Sequence, residues 1–144
     1  MKLYLMRHGH AVDAPNDQLR PLSPEGHEQV ERTAAKLMPM NLNIKKVIHS
    51  TLLRAKETAY DLCQFLELGA PSEEQGLKPN DNFSTFCEEA KLIEEDTLFV
   101  GHMPFMAEAV EYLTGQAINF NTAEVIAIEV DDKSAKMLWR SSQM

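Results

Sequence analysis

Residues 2–9 read Lys-Leu-Tyr-Leu-Met-Arg-His-Gly. The apolar run over 2–6 is rich in strand formers and stops at charge, which predicts a buried strand that runs into a loop. Arg7 offers a planar fork of donors that fits phosphate, and Gly9 lets an anion approach the backbone closely. Taken alone, these three residues are explained better by a core His8 beside a solvent-facing arginine, because three-residue matches are common.

Outward from this stretch, the chain alternates strands and helices. Ser23 is a good N-cap and Pro24 suits the first position of a helix, which ends at Pro39. Further strands are predicted over 45–49, 97–100, 123–130 and 136–140. Further helices are predicted from Ser50 to Gly69, over 83–95 and over 104–113. Residues 69–82 are predicted to form a loop. The order predicts an α/β three-layer sandwich whose central sheet is mostly parallel, with an antiparallel edge.

Two more predicted strands end in residues that could bind an anion. Arg54 lies in the first turn or so of the helix after the second strand, and His102 directly follows the strand over 97–100. Each has an ordinary explanation by itself: Arg54 as an exposed helical arginine paired with a glutamate, His102 as a helix cap. Together with Arg7 and His8 they come from three strand ends, and ligands bind at the carboxyl ends of such strands.

Composition narrows the classes of function. The 144 residues carry a net charge of −8, and no basic run could neutralise a nucleic acid, so nucleic acid is not an expected partner. No apolar stretch is long enough for a membrane span, and the N-terminal run is too short for a signal peptide. We therefore expect one domain over 1–144, located in the cytoplasm, with Cys63 and Cys87 as free thiols in helices.

The order of these segments resembles the histidine phosphatase superfamily, also called the phosphoglycerate mutase-like or RHG family. The resemblance covers nearly the whole chain, and within the superfamily the chain looks most like the small bacterial phosphohistidine phosphatases. The segments that carry it are Arg7-His8-Gly9, Asp17-x-x-Arg20-Pro21-Leu22-Ser23 with Gly26, Ser50 with Arg54-Ala55-x-x-Thr58, Gly101-His102-Met103-Pro104, and the stretch over 120–127.

The resemblance implies a role for each matching residue. His8 would be the nucleophile, through a neutral imidazole nitrogen whose partner nitrogen donates to a backbone carbonyl. The residues implied to surround the phosphoryl group are Arg7, Arg54 and His102, and those implied to bind the substrate further out are Arg20, Asp17 and Gly9. These positive side chains, with His102 protonated, supply as much charge as a metal site would, so we expect neither a metal nor another cofactor.

The chain departs from the larger family members between Arg54 and His102. Only 47 residues lie between them, too few for the cap domain that larger members carry there, so we expect a fold without a cap and an open pocket. No local feature marks Asp81 or Glu88 as the general acid that such a cap usually supplies. A phosphorylated imidazole leaves without help from an acid, whereas an alkoxide needs a proton.

The function predicted from the sequence is thus a metal-independent phosphatase that acts on phosphohistidine in a signalling or phosphotransfer protein. Two alternatives stay open: a small-molecule phosphomonoesterase of the same fold, and a phosphate-binding module without catalytic activity.

Overall fold

Six strands form one sheet, and four helices cover its two faces. The computed structural model describes all 144 residues. Its strands are β1 (Lys2–Arg7), β2 (Lys46–His49), β3 (Ser72–Glu73), β4 (Thr97–Gly101), β5 (Val125–Val130) and β6 (Ala135–Arg140). Its helices are α1 (Pro24–Leu37), α2 (Leu53–Phe65), α3 (Phe83–Ala90) and α4 (Phe105–Thr114). None of these helices has the length and apolar character needed to cross a membrane.

The strand order in the sheet is β3-β2-β4-β1-β5-β6. The first four of these strands are parallel, and β5 and β6 add an antiparallel edge. Arg7 pairs with Gly101, and His49 pairs with Val100, so β1, β4 and β2 end at the same level. The predicted three-layer sandwich with a mostly parallel central sheet is therefore confirmed.

The core lies on both faces of the sheet. In β1, Tyr4 and Met6 join the cluster that packs against α1 and α2, whereas Leu3 and Leu5 join the cluster under α3 and α4. All four side chains are buried. A strand that is buried on both faces needs an unbroken run of apolar residues rather than alternating apolar and polar residues. This explains why residues 3–6 are all apolar.

Helix α1 packs directly on the loop that follows β1. The Ser23 hydroxyl accepts a hydrogen bond from the Gly26 N–H at 3.0 Å, and Pro24 occupies the first helical turn, as the sequence predicts. A Cβ on Gly26 would lie 2.1 Å from the carbonyl oxygen of His10, and a Cβ on Gly9 would lie 2.8 Å from the carbonyl oxygen of Gly26. The two glycines therefore permit the close contact that fixes this loop.

Several predicted boundaries were wrong. The interval predicted as a loop contains β3, which pairs in parallel with β2 through two exposed residues that are too few to show a pattern. Helix α2 begins at Leu53 rather than Ser50, because Leu52 is extended and caps it. Helix α3 ends at Ala90, and tight turns follow. Strand β5 begins at Val125 rather than at the predicted residue 123, because Ala123 adopts a left-handed backbone conformation with a φ of 60°.

The 47 residues between Arg54 and His102 hold the rest of α2, followed by β3, α3 and β4. These elements belong to the sheet and its helical layers, so no cap domain is inserted there, as predicted.

The contact between Gly26 and His10 yields a stability prediction. The Gly26→Ala substitution should destabilise the protein by about 1–3 kcal/mol, because the backbone must move to admit the methyl group. The Gly69→Ala substitution is the matched control, since a Cβ there meets no atom within 4 Å. Urea unfolding of both variants measures the difference, and equal stability of Gly26→Ala and the wild type would contradict this account of the packing.

Candidate active site

Backbone hydrogen bonds fix the three strand ends relative to one another. The N–H of His8 donates to the carbonyl of Gly101 at 3.1 Å, and the N–H of Ser50 donates to the carbonyl of Val100 at 3.2 Å. The carbonyl of His8 accepts from the N–H of Ala123 at 3.1 Å. These bonds hold the backbone at the strand ends in place and so fix the positions from which the site's side chains project.

The His8 ring is oriented by its own loop. Its Nδ1 lies 2.6 Å from the carbonyl oxygen of Gly9, which can only accept, so Nδ1 carries the proton and Nε2 is left with a free lone pair. This is the carbonyl partner that the sequence predicted. The pKa of His8 is lowered to about 4, mainly by burial; the Gly9 contact opposes the shift, and the charges of Arg54, Arg7 and Arg20 add to it. His8 is thus a neutral imidazole near pH 7, the form that a nucleophile requires.

His102 faces the His8 ring, with 5.1 Å between the ring centroids. The residue is 1% exposed, and its Nε2 lies 2.6 Å from the hydroxyl of Ser50. Burial, the nearby His8 and the charge of Arg54 lower the pKa of His102 to about 2. His102 is therefore neutral, and the protonated His102 expected from the sequence is disfavoured in this environment.

Arg7 is anchored by the loop that leads into β5. Its Nη1 donates to the carbonyl of Phe120 at 2.8 Å. That loop is held by Glu124, a buried carboxylate that accepts from Arg140 at 2.9 Å and from the N–H of Asn121 at 2.9 Å. Burial raises the pKa of Glu124, but its hydrogen bonds to Arg140, Ser142 and Asn121 outweigh burial and lower it overall. An ionised Glu124 thus secures the position of Arg7.

Two buried side-chain polar atoms in the whole chain have no hydrogen-bond partner, and they are Nε of Arg7 and Nδ1 of His102. An unsatisfied buried donor costs about 1–3 kcal/mol, so folded proteins rarely keep one without a purpose. Both atoms belong to residues implied to surround a phosphoryl group. A phosphoryl oxygen within reach of either atom would supply its missing partner.

Arg54 comes to the site from the first turn of α2. The residue is 6% exposed, so it is not the exposed helical arginine of the alternative explanation. Its Nη1 donates to the carbonyl of Asp17 at 3.0 Å, and its Nη2 lies 3.5 Å from the Asp17 carboxylate. The same carboxylate lies 3.3 Å from Nη1 of Arg20. Asp17 therefore bridges the two guanidinium groups, and an incoming phosphate would compete with it for them.

Thr58 couples the nucleophile loop to the helix that carries Arg54. Its buried hydroxyl accepts from the N–H of Gly9 at 3.1 Å and donates to the carbonyl of Arg54 at 2.8 Å. No role was predicted for Thr58 or Ser50, although both lie in segments that carry the family resemblance. Their positions offered a signal: Ser50 directly follows a strand, and Thr58 lies one helical turn after Arg54.

The remaining candidates lie outside this arrangement. Asp81 accepts from the N–H of Lys78 at 2.8 Å, and exposed Glu88 bonds to Lys91 and Tyr112. No carboxyl group hydrogen-bonds to either ring of the histidine pair. The cysteines of α2 and α3 are free and buried, and burial raises the pKa of Cys63 to about 11 and that of Cys87 to about 12, so neither is a thiolate nucleophile.

The geometry suits phosphoryl transfer. It combines a neutral imidazole with a free Nε2, guanidinium groups close enough to lower the pKa of that ring, and two unpaired buried nitrogens. Attack by such a nitrogen on phosphorus needs only positioning and neutralisation of the phosphoryl oxygens.

Comparison with known proteins agrees with this assignment. The family model of the histidine phosphatase superfamily (branch 1) matches residues 3–78. An uncharacterized protein of Picosynechococcus sp. (strain ATCC 27264 / PCC 7002 / PR-6) is 32% identical in an alignment of 145 positions that covers 89% of this chain and 84% of that protein. Phosphohistidine phosphatase SixA of Escherichia coli (strain K12) is 34% identical over 74 residues, which cover 51% of this chain and 46% of SixA.

Solved structures share the fold over nearly the whole chain. The protein histidine phosphatase SixA complexed with tungstate superimposes with a TM-score of 0.92 at 25% identity, covering 97% of this chain and 96% of SixA. A structure described as a putative α-ribazole-5′-P phosphatase from E. coli has the same fold, with a TM-score of 0.74 at 18% identity over 96% of this chain and 95% of its own. The predicted likeness to small bacterial phosphohistidine phosphatases is confirmed by SixA, and the chain belongs to the histidine phosphatase superfamily.

Proposed function

We propose that the protein is a phosphohistidine phosphatase that removes the phosphoryl group from a histidine of another protein, through a covalent intermediate on His8. The single observation that carries the proposal is the state of His8: a half-buried, neutral ring whose Nδ1 is bonded to Gly9 and whose Nε2 is free. The proposed partner is a signalling or phosphotransfer protein in the cytoplasm, and neither a nucleic acid nor a membrane takes part.

The reaction has two steps. In the first, Nε2 of His8 attacks phosphorus, and the bond from phosphorus to the substrate nitrogen breaks; the substrate imidazole, protonated on its other nitrogen, leaves as a neutral ring. In the second, water attacks the phosphoryl group, the bond to Nε2 breaks, and inorganic phosphate carries the protons of the water. Nδ1 keeps its proton and its bond to Gly9 throughout, so His8 returns to its starting tautomer.

The positive charge of the site supports a mechanism without a metal. Arg7 and Arg54 lie close enough to the His8 ring to lower its pKa, and Arg20 adds to them. These guanidinium groups would neutralise the phosphoryl oxygens as the bonds to phosphorus change. No three His, Cys, Asp or Glu side chains converge in a way that could hold a metal ion.

Two features support phosphohistidine as the substrate. The chain inserts no cap domain between Arg54 and His102, so a phosphoryl group on the surface of a protein could reach the site. No carboxylic acid contacts His8 or His102, and an imidazole leaving group needs no acid, whereas a sugar alkoxide does. The SixA relatives are described as phosphohistidine phosphatases, and the proposal extends that activity to this chain.

The preference for phosphohistidine predicts a difference in rates. With EDTA present throughout, turnover of a phosphorylated histidine phosphotransfer domain should exceed turnover of sugar phosphates by a factor of at least about 10² in kcat/KM, the usual contribution of a general acid. Phosphate release measures both rates. Faster hydrolysis of sugar phosphates would favour the phosphomonoesterase alternative, and phosphate binding without turnover would favour the non-catalytic module. A lower rate with EDTA than in a parallel assay without EDTA would contradict metal independence.

The lowered pKa of His8 predicts an unusual titration. Because the neutral form persists as the pH falls until about 4, the His8 ring should show no titration between pH 8 and 5.5, where an ordinary histidine with a pKa of 6.5 changes charge. Histidine-selective NMR of the free protein, assigned with His8→Gln, measures this.

Arg54→Met provides the control for the same titration. Removal of the positive charge should move the pKa of His8 upward, since Arg54 contributes to lowering it. A midpoint near 6.5 in the wild type would contradict the assignment of His8 as a neutral nucleophile.

A further inference from the structure

Ser50 occupies a position that the proposed mechanism has not yet used. Its residue is fully buried, and its backbone N–H is bonded across the sheet to Val100. Its hydroxyl oxygen accepts the N–H of Leu52 at 3.3 Å and lies 2.6 Å from Nε2 of His102. Ser50 thus contacts the His102 ring at Nε2.

The hydroxyl proton of Ser50 has one acceptor in reach. The oxygen already receives the N–H of Leu52, and the proton can then be given to Nε2 of His102. A neutral imidazole carries one proton, so a ring that accepts at Nε2 must carry its proton at Nδ1. Nδ1 of His102 is one of the two buried polar atoms without a partner in the protein.

We infer that Ser50 is a positioning residue that fixes His102 as the Nδ1–H tautomer, so that Nδ1–H donates to an oxygen of the phosphoryl group. This inference deepens the proposed function and rests on it for the identity of the acceptor. Ser50 itself touches no substrate; it acts through His102.

The opposite tautomer would work against the reaction. With the proton on Nε2 and bonded to Ser50, His102 would present a bare lone pair at Nδ1, and a lone pair repels a phosphoryl oxygen. A doubly protonated ring would need a buried positive charge beside Arg54, which the environment disfavours, since the pKa of His102 is lowered to about 2. The serine therefore selects the one neutral form that can donate to the anion.

The tautomer can be observed directly without any substrate. In protein labelled with ¹⁵N-histidine, long-range ¹H–¹⁵N NMR should show His102 protonated at Nδ1 and unprotonated at Nε2, with and without tungstate as the probe anion. His102→Gln assigns the resonances. An Nε2–H tautomer or a doubly protonated ring in the wild type, in the free or the tungstate-bound state, would overturn the inference, whatever Ser50 variants do.

The Ser50→Ala variant separates positioning from packing. It should populate the Nε2–H tautomer of His102 and lower kcat by about 10²-fold, the typical loss for one donor to a transition-state oxygen. KM should change much less, and Ser50→Thr, which keeps the hydroxyl, should restore the Nδ1–H form. Thr33→Val is the matched control, because it removes another buried hydroxyl hydrogen bond, to the carbonyl of Ala123, and should leave the tautomer of His102 unchanged.

The outcomes distinguish this inference from the proposed function. An Nδ1–H tautomer that shifts in Ser50→Ala, in a protein without phosphohistidine phosphatase activity, would uphold the role of Ser50 and refute the function. An unaltered tautomer in folded Ser50→Ala, in an active enzyme, would refute the role of Ser50 alone.

Discussion

The parallel pairing of β1, β4 and β2 is the constraint on which the rest of this protein depends. It aligns Arg7 with Gly101 and His49 with Val100, so residues that are far apart in sequence emerge from one edge of the sheet. Because both faces of these strands are buried, their ends cannot shift without disturbing the core. The packing of the sheet therefore fixes the relative positions of the residues in the site.

The electrostatics of the site follow from burying basic groups together. Burial and neighbouring positive charge act in the same direction on His8 and His102, and both are kept neutral. The arginines, whose charge persists, are restrained by oxygen atoms of the protein: Phe120 holds Arg7, and Asp17 holds Arg54. Two buried nitrogens stay without a partner. An anion that reached these nitrogens would supply the partners that the protein does not.

Much of this arrangement could be predicted from the sequence, because local patterns specify it. The apolar run before Arg7, the Ser23–Pro24 helix start and the strand before His102 each depend on neighbouring residues, and the structure confirms them. The alternation of strands and helices then places the strand ends together. No single motif predicts the site. The prediction rests on the topology, which brings the strand ends and their basic residues together.

What could not be predicted depends on contacts between distant residues. The hydroxyl of Ser50 gains its role only because His102 lies beside it, 52 positions later. Glu124 reads as a charge in a strand, yet it is buried and paired with Arg140 to hold the loop behind Arg7. The bridging position of Asp17 between Arg54 and Arg20 is likewise visible only in three dimensions. Two-residue β3 carries no pattern at all.

The central claim is that His8 accepts the phosphoryl group covalently, and rapid-quench labelling with a radiolabelled phosphohistidine protein tests it most directly. The account predicts a transient label that is labile to acid and stable to base, as expected of a phosphoramidate, and that maps to His8 by peptide sequencing. His8→Ala should give no label and no turnover, while still binding tungstate through Arg7, Arg54 and His102. Turnover by the wild type without a label, a label on another residue, or full activity of His8→Ala would contradict it.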